Sequence, residues 1–449
     1  MNSRMIHSPA MPSRVTCTLA CLLLGAHAAF PSDQIPAKPQ DHPIAIVGAT
    51  IHTVSGPTID KGTILFDKGK IVAVGTDINM PPNTEIIDGS LKHVYPGLIS
   101  PNTEIGLVEI GAVRASRDMA ETGRINPNVR AEVAVNPESE LIPVLRANGI
   151  TLAVSAPSGG LISGTSALLM MDGWTWEDMT LRAPLALYVN WPSMRGTRRL
   201  RMTVSEEEKQ KEREAALDEL MEAFRDARAY MKAKIAETEK GIPYHDTDLR
   251  WESMIPVLEG KIPVVVWADE VRQIQAAVAW AERENIRIII GGGYDAWRTA
   301  DLLKQKDIPV LAGGIHRLPE RRFEEYDDPY RLPARLHEAG IRFAIITGDD
   351  AAHERNLPFQ AGTAAAYGLP KDAALKAITL APAQIFGVSD RVGSLEAGKD
   401  ATLILTTGDP LEISTGIVME YIQGRTIDLT SKHTMLYDKY REKYRRLRP

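Results

Sequence analysis

Cysteine is nearly missing from these 449 residues: only Cys17 and Cys21 occur, both within the first 28 positions. If that segment is removed, the remaining chain forms no disulfide and no thiolate metal site, and its stability rests on packing. Aromatic residues are scarce at 6%. Neither His-x-His nor His-Glu-x-x-His occurs anywhere, so two familiar zinc-binding spacings are excluded. No apolar run reaches the roughly 20 residues of a membrane span. A formal charge of −6 carries no basic excess of the kind that nucleic acid attracts.

What is present begins with a secretory leader over residues 1–28. Arg4 and Arg14 supply its positive start, an apolar run extends to Leu24, and Ala26-His27-Ala28 forms a small-x-small cleavage site. Cleavage removes two arginines and no acids, taking the charge from −6 to −8. The expected destination is periplasmic or secreted. Residues 29–42 are Pro-rich and polar and read as a leader to the folded part.

Hydrophobic content of 44% and charge of 24% are those of a globular enzyme-like chain. Short strand signals crowd residues 43–93 and return over 390–430, which points to one small β-sandwich built from both chain ends. Between them, over 94–389, apolar strands alternate with amphipathic helices, the pattern of parallel βα units. The candidate strands are 94–99, 151–155, 185–189, 262–267, 286–290, 308–311 and 341–347. The fourth strand has no clear run and is expected near 251–258. The expected fold class is therefore α/β, a (β/α)₈ TIM-type barrel with the sandwich attached.

A helical insertion covers 205–237. Leu217, Leu220, Phe224, Ala227 and Met231 repeat at alternating spacings of three and four, and Ser205 with Glu208 forms a capping box. It lies over the barrel or receives a partner. The basic, Tyr-bearing residues 431–449 form a tail helix. The Gly- and Ser-rich stretch from Ala156 to Thr165 reads as a tight loop leading into a hairpin over 166–174, or as backbone N–H groups for an anion.

Val94-Tyr95-Pro96-Gly97-Leu98-Ile99-Ser100-Pro101-Asn102-Thr103-Glu104 resembles the opening signature of the amidohydrolase superfamily. So do Val264-Val-Val-Trp-Ala-Asp-Glu270, Arg355-Asn-Leu-Pro-Phe-Gln-Ala-Gly362 and Arg391-Val-Gly-Ser-Leu-Glu-Ala-Gly-Lys-Asp-Ala401, which are similar to its imidazolonepropionase-related branch. The resemblance implies hydrolysis of C–N bonds by a metal-bound water. It also implies ligands at strand ends: His-x-His after strand one, Lys or Glu after strand four, His after strands five and six, and Asp after strand eight.

Carried over residue by residue, most of that set changes. Strand one offers Asn102 and Glu104, strand five Trp267, and strand six Gly292; strand eight keeps Asp349. The remaining side-chain donors are oxygens, which suit a harder divalent ion such as magnesium, calcium or manganese better than zinc. Asp349 is the candidate catalytic acid and, with Glu104, a candidate metal ligand; otherwise Asp349 caps a helix or pairs with Arg355, and Glu104 pairs with Arg114 or Arg117. Asp269 and Glu270 read as first-turn helix acids. His245, His316 and His353 stand in or near loops, as surface histidines or as parts of a remade site. Arg114, Arg117, Arg124 and Arg130 are either surface charge or anchors for a substrate carboxylate.

Two functions follow. One is an exported amidohydrolase-like protein acting on amide, peptide-like or cyclic amide bonds with an atypical or missing metal site. The other is a catalytically silent barrel that binds a ligand or supports an active paralogue. Expected partners are a small-molecule or peptide-like ligand and a homo- or hetero-oligomer with such a paralogue. Neither nucleic acid nor a membrane span is expected.

Overall fold

The computed structural model describes residues 34–193, 205–241, 244 and 246–447. The segment 1–28 with Cys17 and Cys21, and also His245, lie outside the described residues.

The first strands are β1 (Ile44–Ile51), β2 (Ile59–Asp67), β3 (Lys70–Gly75), β4 (Glu85–Asp88) and β5 (His93–Pro96). The central ones are β6 (Leu98–Thr103), β7 (Ile150–Ser155), β8 (Ile162–Thr165), β9 (Ala167–Met170) and β10 (Thr180–Arg182). They continue with β11 (Leu187–Asn190), β12 (Val264–Ala268), β13 (Ile288–Gly292), β14 (Val310–Ala312) and β15 (Phe343–Ile345). The chain closes with β16 (Leu403–Thr406), β17 (Ile417–Ile422) and β18 (Arg425–Thr426).

Both chain ends build one eight-stranded sheet, ordered β18-β17-β16-β5-β1-β2-β3, with β4 also paired to β1. Hydrogen bonding thus runs through a single branched sheet. Lys68 and Gly69 turn β2 into β3 with φ of 50° and 77°, the left-handed pair that a two-residue hairpin needs. Ile46, Ile64, Phe66, Leu403, Leu405 and Tyr421 form its core. The Phe66 and Tyr421 rings meet edge to face at 4.9 Å, tying the N-terminal half of the sheet to the C-terminal half.

Residues 94–99 do not form one strand. Gly97 divides them: β5 belongs to the end sheet and β6 to the central strands. A side chain at Gly97 would collide with Thr151 Oγ1 on β7. The glycine lets the chain change sheets at this close approach.

The central strands form two sheets, β10-β9-β7-β6 and β15-β14-β13-β12-β11-β8. β11 to β15 run parallel, as do β6 and β7. The strand missing from the sequence reading is not at 251–258, which is helix Leu249–Leu258 capped by Asp248. It is 162–170, expected to be a loop and the start of a hairpin. β8 and β9 are separated only by Ser166 and pair antiparallel with β11 and β7. Ser166 N–H donates to Ala186 O, and Leu185 N–H donates to Ser166 O. At the other edge Ile345 N–H donates to Ala377 O and Ile99 N–H donates to Ile378 O, so residues 377–378 stand between β15 and β6.

The central strands are buried, as sheets covered by helices require. Helix Glu206–Lys240 begins at Ser205, whose hydroxyl accepts from Glu208 N–H while the Glu208 carboxylate accepts from Ser205 N–H. Its Leu220, Phe224 and Ala227 are fully buried. Phe224 meets Trp280 of helix Val271–Glu284 edge-on at 4.9 Å. The apolar face of the long helix therefore covers the central core.

Candidate active site

The parallel strands β12 to β15 deliver their C-terminal ends to one side: Trp267 lies near the end of β12 with Asp269 just after it, Gly291 and Gly292 end β13, and His316 and Asp349 follow β14 and β15. β6 ends with Asn102 and leads to Glu104.

Asp349 follows β15 and is half-exposed, at 49% of its side chain. Its carboxylate lies 3.9 Å from His353 Nδ1. Asp350, not Asp349, is the helix cap: its carboxylate accepts from His353 N–H at 3.2 Å and meets His353 Nδ1 at 2.8 Å. Arg355 donates to Ala352 O rather than to Asp349. His316, four residues after β14, meets Thr363 Oγ1 through Nε2 at 2.7 Å. Burial lowers its pKa, and the negative charge of Asp349 opposes that shift. Asp349 is thus within electrostatic reach of His316 and His353.

Glu354, which no sequence pattern singles out, lies behind Asp349. It is fully buried. One carboxylate oxygen accepts from Ser100 Oγ on β6 and the other from Thr347 Oγ1 after β15, both at 2.7 Å. Burial pushes its pKa up to about 7; the hydrogen bonds from Ser100 and Thr347 oppose the rise, and Asp349 adds to it. Its main partner is 254 residues distant in sequence, so no local spacing reveals it.

Around Trp267 and Gly292 the space is filled by neighbouring side chains. The Trp267 ring packs against Gly291, where a Cβ would lie 3.0 Å from Cδ2. Gly292 has φ of 80°, and a side chain there would collide with Asp269 Oδ1. The Asp269 carboxylate occupies the space that a side chain on Gly292 would need. Glu270, not Asp269, caps helix Val271–Glu284, in a capping box with Gln273. Asp269 Oδ1 is buried without a hydrogen-bond partner among the described residues. Burial pushes the pKa of Asp269 up to about 6, against the Tyr294 backbone N–H and the charge of Arg317. The Arg317 guanidinium sits 3.6 Å from the Tyr294 ring centre, with its Nε buried and unpartnered among the described residues.

At the first strand, Asn102 Oδ1 is buried without a partner among the described residues. Glu104 is partly buried, and no ion pair joins it to Arg114 or Arg117 among the described residues. Arg124 pairs with Glu219 at 2.8 Å and Arg130 with Glu132 at 2.7 Å. Among the described residues, no three His, Cys, Asp or Glu side chains converge as a metal site. No described helix is long and apolar enough to cross a membrane.

Residues 180–436 match the Amidohydrolase family. The amidohydrolase tasK of Hapsidospora irregularis is 21% identical over 391 residues, covering 81% of this chain and 39% of that protein. The chain thus spans well under half the length of that relative. The imidazolonepropionase of Symbiobacterium thermophilum is 26% identical over 439 residues, covering 87% of this chain and 98% of that one. An amidohydrolase crystal structure from Thermotoga maritima superposes with a TM-score of 0.76 at 26% identity, over 86% of this chain and 99% of its own. These likenesses imply a TIM-type barrel with a β-rich domain, a setting in which strand ends carry the active site. With the family pattern spanning more than half of its residues, the chain belongs to the amidohydrolase family.

Proposed function

We propose that the protein is an exported hydrolase of C–N bonds in amide, peptide-like or cyclic amide substrates, acting at the ends of β6 and β12–β15. The observation that carries this reading is Asp349, a half-exposed carboxylate at the end of the last parallel strand, with His316 and His353 in electrostatic reach. In the proposed step Asp349 takes a proton from water as the water oxygen bonds to the carbonyl carbon. The C–N bond then breaks and the same proton passes to the leaving nitrogen, giving a carboxylic acid and an amine.

The donor set does not fit an imidazole-held zinc. The indole N–H of Trp267 has no lone pair to give, Gly292 has no side chain, and Asn102 offers an amide. Glu104 and Asp349 are the oxygen donors that would face a harder divalent ion. The finer fold reading belongs to the same proposal. β6, β7, the β9/β8 strand and β11 to β15 close as one eight-stranded ring, with residues 377–378 at the seam and the third strand antiparallel. The sheet from both chain ends then forms the small sandwich beside it.

A second reading, a silent barrel that binds a ligand or supports an active paralogue, is favoured by that same altered donor set. Assay of the purified chain on N-acyl amino acids, dipeptides and cyclic amides separates the two. Hydrolysis that disappears in Asp349→Asn supports the enzyme. Inactivity on the whole panel, together with co-purification of a second chain bearing His-x-His, discards it for the supporting role.

A further inference from the structure

The strands β12 to β15 have a second concavity, at the ends opposite Asp349. A cavity of about 640 Å³ opens at their N-terminal ends, lined by Pro263, Ile288, Pro309 and Arg342. Its apolar wall is buried: Val278, Ile289, Ile308 and Phe386 contribute to it. Its polar lining is one-sided. Arg182, Lys261, Arg287, Lys306 and Arg342 line it with Glu282 and Asp307, and Glu259 stands against Lys261, so five positive charges less three negative leave +2.

Three of these cations have acidic partners. Lys306 pairs with Glu282, Arg342 with Asp307 at 2.9 Å, and Lys261 with Glu259 at 2.7 Å. Arg182 and Arg287 are held differently. Arg182 Nη1 donates to Gly387 O at 2.6 Å, and Arg287 donates through Nε to Gly260 O and through Nη2 to Lys261 O, both at 3.1 Å. A carbonyl orients a guanidinium without neutralising it. Two oriented guanidiniums that keep their charge, above an apolar wall, are suited to a ligand with a charged head and an apolar body.

We infer that this cavity binds an amphiphilic organic anion, with a single carboxylate, sulfonate or phosphate head on an aromatic or short aliphatic body. The head meets Arg182 and Arg287, and the body lies on Val278 and Ile308. The site stands apart from the strand ends that carry Asp349 and does not depend on hydrolysis there.

Fluorescence titration of the purified chain with 8-anilinonaphthalene-1-sulfonate tests it, with the uncharged N-phenyl-1-naphthylamine as a body-matched control. The expected result is one saturable site per chain for the sulfonate. Binding should be about tenfold weaker for the neutral probe, and about tenfold weaker or more in the double variant Arg182→Gln, Arg287→Gln, because charge-assisted hydrogen bonds are lost. Asp349→Asn should bind as the unaltered chain does. Hydrogen exchange on the unaltered chain gives a reading that needs no variant: the sulfonate should protect residues 284–289 and 384–387. Equal binding of both probes, equal binding by a folded double variant, absence of saturable binding, or protection confined to other segments would each overturn the proposal.

Discussion

Glu354 joins the first and last central strands through a single carboxylate, with Ser100 on one oxygen and Thr347 on the other. Its pKa rises from 4.5 to about 7 on folding, so between those values the folded chain holds a proton that the unfolded chain has released. Stability therefore falls as pH rises through that window, and the contribution is fully present only below about 4.5. We predict that Glu354→Gln flattens this dependence. Urea unfolding at pH 5 and pH 8 should show a loss on the order of 3 kcal/mol for the unaltered chain that the variant lacks; equal slopes would remove Glu354 from this role. Gly292 is the second test at this scale. With φ of 80° and the Asp269 carboxylate in the way, Gly292→Ala should destabilise the fold by about 2–4 kcal/mol, and Asp269→Ala in the same chain should recover the part due to the collision. Asp349 was legible in the sequence because Thr347-Gly348-Asp349 closes an apolar run. Glu354 was not, because burial and distant hydroxyl partners define it rather than any spacing. Asp269 resembles a helix acid in sequence because Glu270, its neighbour, does cap the helix.

At the scale of single elements, the long helix Glu206–Lys240 was legible in detail. The capping box of Ser205 and Glu208 and the spacing of Leu217, Leu220, Phe224, Ala227 and Met231 describe both its start and its packed face. Phe224→Ala removes an aromatic ring that is fully buried against Trp280, and should cost about 3–5 kcal/mol in urea unfolding at constant slope. A cost under about 1 kcal/mol would mean that the helix does not depend on that contact. The first half of the strand 162–170 is illegible in the sequence for the opposite reason, while its second half falls in the expected hairpin over 166–174. Ile162-Ser163-Gly164-Thr165 has no apolar run and contains a glycine at φ of 131°, and a side chain on Gly164 would press on Val129 O. Glycine, serine and threonine mark a turn in most sequences. Here the antiparallel pairing to β7 and β11 overrides that preference. The short apolar stretch of helix Leu249–Leu258 does not separate the helical from the strand period, so its sequence alone suggests a strand there.

Over the whole molecule, the central strands and the end sheet are joined by a buried ion cluster. Asp172, just after β9, accepts from Arg146 of helix Leu141–Arg146 at 3.0 Å and pairs with Arg425 of β18 at 2.9 Å. Burial raises the pKa of Asp172, and the two arginines oppose it. Removing one member of a buried pair leaves the other charge uncompensated. Asp172→Ala is therefore expected to cost about 3–5 kcal/mol, read by urea unfolding; an unchanged midpoint would show the cluster to be dispensable. That the two chain ends share one sheet was visible in the return of short strands after residue 390. The single branched pairing was not, because register and sheet membership depend on partners far away in sequence. The proposed function turns on the strand ends, where we propose that Asn102, Trp267 and Gly292 stand at positions that imidazoles fill in the family pattern and that Asp349 is retained. Its most direct test is metal analysis of the purified, freshly isolated chain, joined to X-ray absorption at the zinc edge. We predict less than about 0.1 zinc per chain, with any stoichiometric metal a harder ion bound through oxygen. One zinc per chain with nitrogen neighbours at about 2.0 Å would contradict it.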